Sequence, residues 1–123
     1  MRILFDTHML IWWLDGDDAL PKAALSAIAD PASDVAVSSI SLAEISIKRA
    51  IGKLRAPWIP DVLLAENGIS VLSYTSDHAR RLLELPLHHR DPFDRMLIAQ
   101  AIHEDMVFAT ADPQASAYGV RLL

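Results

Sequence analysis

The 123-residue chain contains no cysteine and no long apolar segment. The absence of cysteine excludes a disulfide scaffold, a thiolate metal site and a cysteine nucleophile. The apolar run at residues 9–14 covers six residues, whereas a helix that spans a membrane needs roughly 20. Asp6 and His8 interrupt the apolar start of the chain, so we expect no signal peptide. These features predict an untargeted, soluble, cytoplasmic protein without a membrane partner.

Basic residues are also scarce, because 11 Lys and Arg stand against 16 Asp and Glu for a formal net charge of −5. Nucleic-acid-binding domains usually carry a basic footprint, so the net charge alone argues against such a partner. The objection weakens if several acids form a metal pocket, since bound cations would neutralise them. The local field then decides whether a polyanion can bind.

Apolar segments of strand length alternate with segments of helical spacing, which favours one α/β domain spanning residues 1–123. The patterns predict strands at 3–5, 35–37, 69–72 and 107–110, a possible fifth strand at 120–123, helices at 7–14, 21–29, 40–51, 61–66, 76–85 and 92–104, and a turn at 57–60. Strands separated by helices form a parallel sheet, here of four to five strands with helices on both faces. Right-handed crossovers place a functional site at the carboxyl ends of the strands.

Four acids are expected at that edge of the sheet. Asp6 directly follows the first predicted strand, and Asp112 lies two residues after the fourth. Asp94 and Glu44 lie in the first or second turn of helices that begin at the same edge. The topology therefore predicts that acids far apart in the sequence meet in space.

Asp94 and Glu44 also lie on apolar helix faces. Asp94 shares its face with residues at i+3, i+4 and i+7, and Glu44 with residues at i−4, i+3 and i+7. These neighbours are Leu97, Ile98 and Ala101 for Asp94, and Ile40, Ile47 and Ile51 for Glu44. Solvated surface carboxylates rarely occupy such faces, so both side chains are predicted to point inward.

Carboxylates that lie within a few ångströms of one another repel, and burial raises their pKa, so they stay ionised only beside a cation. Oxygen ligands without cysteine favour a hard ion, Mg²⁺ or Mn²⁺, over zinc. Such an ion with open coordination positions suits phosphoryl chemistry. The four acids are therefore candidate ligands of a catalytic metal.

Each acid also has a purely structural interpretation. Glu44 fits a capping box with Ser41, or an ion pair with Lys48 four residues later. Asp91 is best interpreted as the N-cap of the helix that opens with Pro92. The remaining three have local alternatives as well: Asp6 as a helix cap, Asp94 as a first-turn acid that complements the helix dipole, and Asp112 as part of a turn with Pro113.

Taken together, the segments that carry these acids resemble PIN-domain ribonucleases, and specifically the VapC-type toxins of type II toxin–antitoxin systems. The matching segments are residues 4–8, 38–45, 89–101, 110–112 and 118–120. Their order and spacing agree over essentially the whole chain. The segment at 91–101, together with the opening Asp6 motif, is the most specific part of the resemblance.

The resemblance implies a PIN-like three-layer sandwich and a Mg²⁺- or Mn²⁺-dependent endoribonuclease with a cognate antitoxin. It implies that a metal-activated water attacks an RNA phosphodiester and the 3′ oxygen leaves. Asp6 and Asp94 would be the firmest metal ligands, with Glu44 and Asp112 acting directly or through water. Thr110, whose hydroxyl would hold a carboxylate or water, and Asp91 would support this acidic set.

Lys48 and Arg95 are the basic residues predicted to contact RNA, because they lie close in sequence to site acids. The alternative is ordinary solvated helix surface. His88 and His89 precede the cap at Asp91, and we place both outside the active site, because loop histidines usually have no catalytic role.

The helix at 7–14 is apolar around its whole circumference from residue 9 to residue 14. One face suffices for the core, so the other is expected to be covered. A homodimer interface or an antitoxin helix would cover it, and so would burial inside the monomer.

Three other functions share some of these features. A phosphoacceptor receiver module needs paired acids after its first strand and a lysine after its last, but Asp6 is followed by Thr7 and His8 and the tail has no lysine. A haloacid-dehalogenase-type phosphatase needs a second aspartate two residues after the first, but the residue at that position is His8. An inactive PIN-like binding module would retain the acids without a competent geometry.

Overall fold

A computed structural model describes residues 1–55, 59 and 61–123. The predicted turn at 57–60 lies largely outside these described residues. Among the residues that the structure describes, no helix combines the length and the apolar character needed to cross a bilayer.

Four parallel strands form one sheet in the order β3-β2-β1-β4. Their bounds are Arg2–Phe5 for β1, Asp34–Ser38 for β2, Ile69–Leu72 for β3 and Val107–Ala109 for β4. Central β1 pairs with both neighbours, so that Ile3 aligns with Val35 on one side and Val107 on the other. The near-continuous apolar runs of these strands reflect a sheet that is covered on both faces. The predicted α/β class and parallel sheet are confirmed.

The chain end does not form the possible fifth strand at 120–123. It forms a single parallel bridge between Leu122 and Phe108, in which the Phe108 amide donates to the Arg121 carbonyl at 2.7 Å. A left-handed turn at Gly119 (φ 69°) brings the tail to this edge of β4, where pairing ends after one bridge.

Six α-helices and one short 3₁₀ helix surround the sheet within the described residues. They are α1 (Thr7–Asp15), α2 (Lys22–Ala29), α3 (Ser39–Ala50), α4 (Asp61–Glu66), α5 (Ser76–Glu84), α6 (Pro92–His103) and the 3₁₀ helix Pro113–Tyr118. Gly52, which follows the end of α3, has a φ of 74°, which an L side chain rarely adopts. The bounds of the predicted helices differ from those of the observed helices by only a few residues at each end.

The alternation of side chains along β1 creates the three layers. Ile3 and Phe5 point to a core with α1, α2, α3 and α4, whereas Leu4 points to a second core with α6 and the tail. In α1, Met9 and Leu10 are fully buried, while residues 11–14 are half-buried and pack on the first core. The monomer thus covers much of the apolar helix by itself.

Candidate active site

Three of the four predicted acids line one pocket of about 250 Å³ at the carboxyl edge of the sheet. Asp6 reaches it from the end of β1, Asp94 from the first turn of α6, and Asp112 from the segment after β4. His8 and Trp12 of α1 and Ala111 complete the lining. The topology therefore brings together residues that are up to 106 positions apart, as expected for the ends of parallel strands.

Asp6 is both a helix cap and a pocket residue. Its Oδ1 accepts a hydrogen bond from the Met9 amide at 2.8 Å, and its Oδ2 accepts one from the Thr110 hydroxyl at 2.6 Å. Burial raises the pKa of Asp6, although these two hydrogen bonds oppose the rise. Thr110 therefore holds the carboxylate, which is the placement that the resemblance implies for it.

Glu44 is buried next to α1 and does not cap its own helix. The cap of α3 is Ser38, whose hydroxyl accepts from the Ile40 amide at 3.0 Å, so the capping box with Ser41 is wrong. Glu44 instead accepts a hydrogen bond from the Thr7 hydroxyl at 2.6 Å and pairs with Lys48 at 2.5 Å. The hydrogen bond with Glu44 raises the pKa of Lys48, so the lysine stays charged beside the acids.

Asp91 and Asp94 have different roles at the start of α6. Asp91 is the N-cap, as predicted, and accepts from the amides of Phe93 (2.9 Å) and Asp94 (3.3 Å). The Asp94 side chain is 28% exposed and faces the pocket. Burial first and repulsion from Asp91 next raise the pKa of Asp94 to about 6, with smaller contributions from Glu44 and Asp6. Asp6, Glu44 and Asp91 therefore all act on the charge of Asp94.

Asp112 caps the 3₁₀ helix and contacts His89. Its Oδ1 accepts from the Gln114 amide at 2.9 Å, and its Oδ2 accepts from His89 Nε2 at 2.7 Å. Although burial acts in the opposite direction, these hydrogen bonds hold the pKa of Asp112 below its ordinary value. Asp112 consequently stays ionised more readily than Asp6 or Asp94.

His89 lies beside two of the pocket acids, although the sequence interpretation placed it outside the site. Its Nε2 lies 3.1 Å from Asp94 Oδ2 as well as 2.7 Å from Asp112 Oδ2. The sequence offers one weak signal, since His89 opens one of the matching segments, but it is adjacent to His88 and nothing in the pattern separates the two. His8 and Trp12 are further pocket residues that the pattern did not indicate.

The side chain of Arg95, predicted to contact RNA, points away from the acids. Its guanidinium donates to the Leu85 carbonyl at 3.1 Å and lines a separate groove with leucines of α5 and the following loop. The reason is helical geometry, because consecutive residues of α6 point about 100° apart, so only Asp94 faces the acids. Lys48 remains the basic side chain next to the acidic set.

The donor chemistry of this pocket fits a hard divalent cation. Asp6 and Asp94 have raised pKa values because they are buried close to other carboxylates, and a cation would relieve both costs. Carboxylate oxygens of Asp94 and Asp112 lie within 4.8 Å of each other, beside the ring of His89. Asp6 and Asp94 offer carboxylate oxygens, the ligand type that Mg²⁺ and Mn²⁺ prefer.

The chain belongs to the PIN domain family, since the family model matches residues 3–120. Its fold is also found in solved structures that cover nearly the full length of both chains. VapBC2 from Rickettsia felis, bound to a DNA fragment from its promoter, is 16% identical with a TM-score of 0.72 and covers 100% of this chain and 98% of that one.

Two further structures show the same fold at similar identity. VapBC-1 from nontypeable Haemophilus influenzae is 18% identical with a TM-score of 0.69, and covers 100% of this chain and 97% of that one. VapC20 from Mycobacterium tuberculosis, a toxin that cleaves the sarcin-ricin loop, is 19% identical with a TM-score of 0.70 and covers 98% of each chain. No curated protein sequence matches this chain significantly.

Proposed function

We propose that this PIN domain is a Mg²⁺- or Mn²⁺-dependent endoribonuclease that acts as the toxin of a toxin–antitoxin pair. The observation that carries the proposal is the convergence of Asp6, Asp94 and Asp112 on one pocket, with Glu44 close enough to influence the pKa of Asp94. Membership of the PIN family and the likeness to VapC structures support the same activity.

Asp6 and Asp94 would hold the cation, with Glu44 and Asp112 completing the set directly or through water. A divalent ion bound there supplies a Lewis acid that orients the scissile phosphate, promotes ionisation of the attacking water and stabilises the departing 3′ oxygen. The chain fixes its own acids beforehand: Thr110 and the Met9 amide orient Asp6, and Thr7 orients Glu44. Such preorganised carboxylates need little rearrangement during the reaction.

The pocket rim offers contacts for RNA. Lys48, held beside Glu44 with 36% of its side chain exposed, provides a positive charge for a phosphate. His8 and Trp12, whose ring centroids are 5.9 Å apart, present aromatic surface to the pocket on which an unpaired base can stack. A local basic and aromatic rim allows an acidic chain to bind RNA despite its net charge.

The proposed antitoxin partner fits an apolar groove between α1 and α2. The groove measures about 510 Å³ and is lined by Trp12, Trp13, Leu20 and Leu25, with Asp17 and Asp18 among the polar lining residues. The Rickettsia and Haemophilus structures are VapBC complexes, which supports an antitoxin as the occupant. We also expect the toxin to form a homodimer, which light scattering of the purified protein would test.

The direct test is RNA cleavage by purified protein supplied with Mg²⁺ or Mn²⁺. Wild type should cut structured RNA, and Asp94→Asn should abolish cutting while leaving the fold intact. Asp105→Asn is a matched control, because it makes the same chemical change at an exposed carboxylate in the loop after α6. Equal cleavage by wild type and Asp94→Asn would identify a contaminant, whereas an inactive, folded wild type would indicate a PIN-like binding module.

A further inference from the structure

The loop between α5 and α6 places one imidazole between two acids of the pocket. His89 is 11% exposed in its side chain, and its Nε2 lies 2.7 Å from Asp112 Oδ2 and 3.1 Å from Asp94 Oδ2. Asp94 belongs to α6, and Asp112 belongs to the segment after β4. His89 therefore links two elements that contribute acids independently.

The backbone of the same loop fixes the tautomer of the ring. The Asp91 amide donates a hydrogen bond to His89 Nδ1 at 3.1 Å, so Nδ1 carries the lone pair and the ring hydrogen lies on Nε2. An Nε2–H group donates to carboxylates and cannot serve as a metal ligand. The ring thus acts on the acids, although its position alone would also fit a ligand.

Tyr118 fixes the backbone that carries the ring. Its hydroxyl oxygen accepts hydrogen bonds from the amides of His89 (2.8 Å) and His88 (3.1 Å). Tyr118 ends the 3₁₀ helix that begins immediately after Asp112. The segment from Asp112 to Tyr118 therefore holds the backbone of His89 through Tyr118. The same segment supplies Asp112, one of the two acids that the ring contacts.

The other acids have orienting donors of their own. Both oxygens of Asp6 accept hydrogen bonds, from the Met9 amide and Thr110, and both oxygens of Glu44 do so, from Thr7 and Lys48. The hydrogen bond of His89 Nε2 goes to Asp112 Oδ2, and the same nitrogen lies 3.1 Å from Asp94 Oδ2. Among the described residues no hydrogen bond reaches the Asp94 carboxylate, so its contact with His89 is what locates it beside Asp112.

We propose that His89 is a positioning residue that holds the carboxylates of Asp94 and Asp112 in the geometry in which they receive the divalent cation. This inference rests on the proposed function, since it assumes that the pocket binds such an ion. Residues that orient metal ligands typically change metal affinity 10- to 100-fold when they are removed. His89 would act in this way through Nε2–H, without touching the reacting atoms.

Three substitutions separate positioning from a merely structural role. His89→Asn retains an acceptor for the Asp91 amide but is too short to reach the acids, whereas His89→Gln places an amide N–H near the position of Nε2. We expect His89→Asn to weaken Mn²⁺ binding, measured by calorimetry, about 10- to 100-fold. His89→Gln should stay within a few-fold of wild type, and the neighbouring His88→Ala should not change the affinity. RNA cleavage should follow the same order.

The outcomes distinguish this inference from the proposed function. Wild-type affinity in His89→Asn, or equal losses in His89→Asn and His89→Gln, would overturn the positioning role while leaving the nuclease assignment intact. If wild type binds no Mn²⁺ and cuts no RNA, the proposed function fails, but the nitrogen-15 spectrum of the metal-free protein still tests the ring. Hydrogen on Nε2, with a resonance that moves in Asp112→Asn, supports the contact, and hydrogen on Nδ1 overturns it.

Discussion

The hydroxyl of Thr110 donates a hydrogen bond of 2.6 Å to Asp6 Oδ2 across 104 residues of sequence. The two residues follow β1 and β4, which are neighbouring parallel strands, and the Asp6 amide also donates to the Ala109 carbonyl at 3.0 Å. The pairing of the first and last strands therefore builds the acidic pocket, and the orientation of Asp6 depends on an intact sheet.

Thr110→Val should separate orientation of Asp6 from packing, because valine keeps the shape of threonine and loses the hydroxyl. The buried Asp6 oxygen then lacks its donor, which typically costs about 1–3 kcal/mol of unfolding free energy. We expect weaker Mn²⁺ binding as well. Chemical denaturation and calorimetry measure the two effects. Thr110→Ser keeps the hydroxyl and should restore metal affinity; if serine and valine behave alike, the hydrogen bond is not what orients Asp6.

Asp94→Asn should stabilise the metal-free protein at neutral pH. Because the pKa of Asp94 is raised from 3.8 to about 6, the folded state binds a proton in this interval that the unfolded state has released. Stability therefore falls as pH rises from about 4 to 6, and the full cost is present above 6. Removing the charge should recover about 1–3 kcal/mol there, less what solvent screening removes.

Denaturation with a chelator present, at pH values below 4 and above 6, measures this difference. The gain from Asp94→Asn should shrink towards zero in the acidic sample. Added Mn²⁺ should make the wild-type protein more stable than Asp94→Asn. A stability gain that is independent of pH would contradict the electrostatic explanation.

Lys48→Gln should weaken both the fold and RNA binding. It leaves the buried carboxylate of Glu44 with Thr7 as its remaining hydrogen-bond donor among the described contacts. Loss of a partner to a buried charge typically costs about 1–3 kcal/mol. The matched control is Arg49→Gln, an exposed position one residue further along α3. Fluorescence anisotropy with labelled RNA should show a lower RNA affinity for Lys48→Gln than for this control, and thermal unfolding should show a lower melting temperature. Equal values for the two variants would exclude Lys48 from the site.

Leu25→Asp should abolish neutralisation by the proposed antitoxin without unfolding this domain. Leu25 lines the groove between α1 and α2 and is 54% exposed, so a charge there meets solvent in the free protein and an apolar partner in the complex. Growth arrest on expression, with and without the small protein encoded by the neighbouring gene, measures neutralisation. Leu83→Asp, at an even more exposed leucine outside this groove, is the control and should still be neutralised.

The sequence was sufficient to predict the parts of the structure that depend on the spacing of apolar residues and on the topology of the sheet. Apolar strands that alternate with helices indicate a parallel sheet, and that topology places Asp6, Asp94 and Asp112 at one edge of the sheet. Asp91 and Pro92 indicated the start of α6 correctly, because a cap followed by proline is a local signal. Local and topological signals agree at these positions.

Other features depend on contacts that the pattern does not contain. In the run from Ser38 to Ser41, three serines can each cap a helix, and the end of β2 decides in favour of Ser38. His89 and His88 are adjacent and look alike, yet only His89 receives the Asp91 amide and reaches the acids. Arg95 is adjacent to Asp94 but points to the leucines, since neighbouring residues of a helix face different directions.

The central claim is that Asp6 and Asp94 bind one divalent ion together. Crystals grown with Mn²⁺, measured for anomalous scattering, test it most directly. The account predicts a peak at about 2.0–2.3 Å from a carboxylate oxygen of each residue, and no peak there in Asp94→Asn. Absence of that peak from wild-type crystals at saturating Mn²⁺, or a peak confined to another part of the molecule, would contradict it.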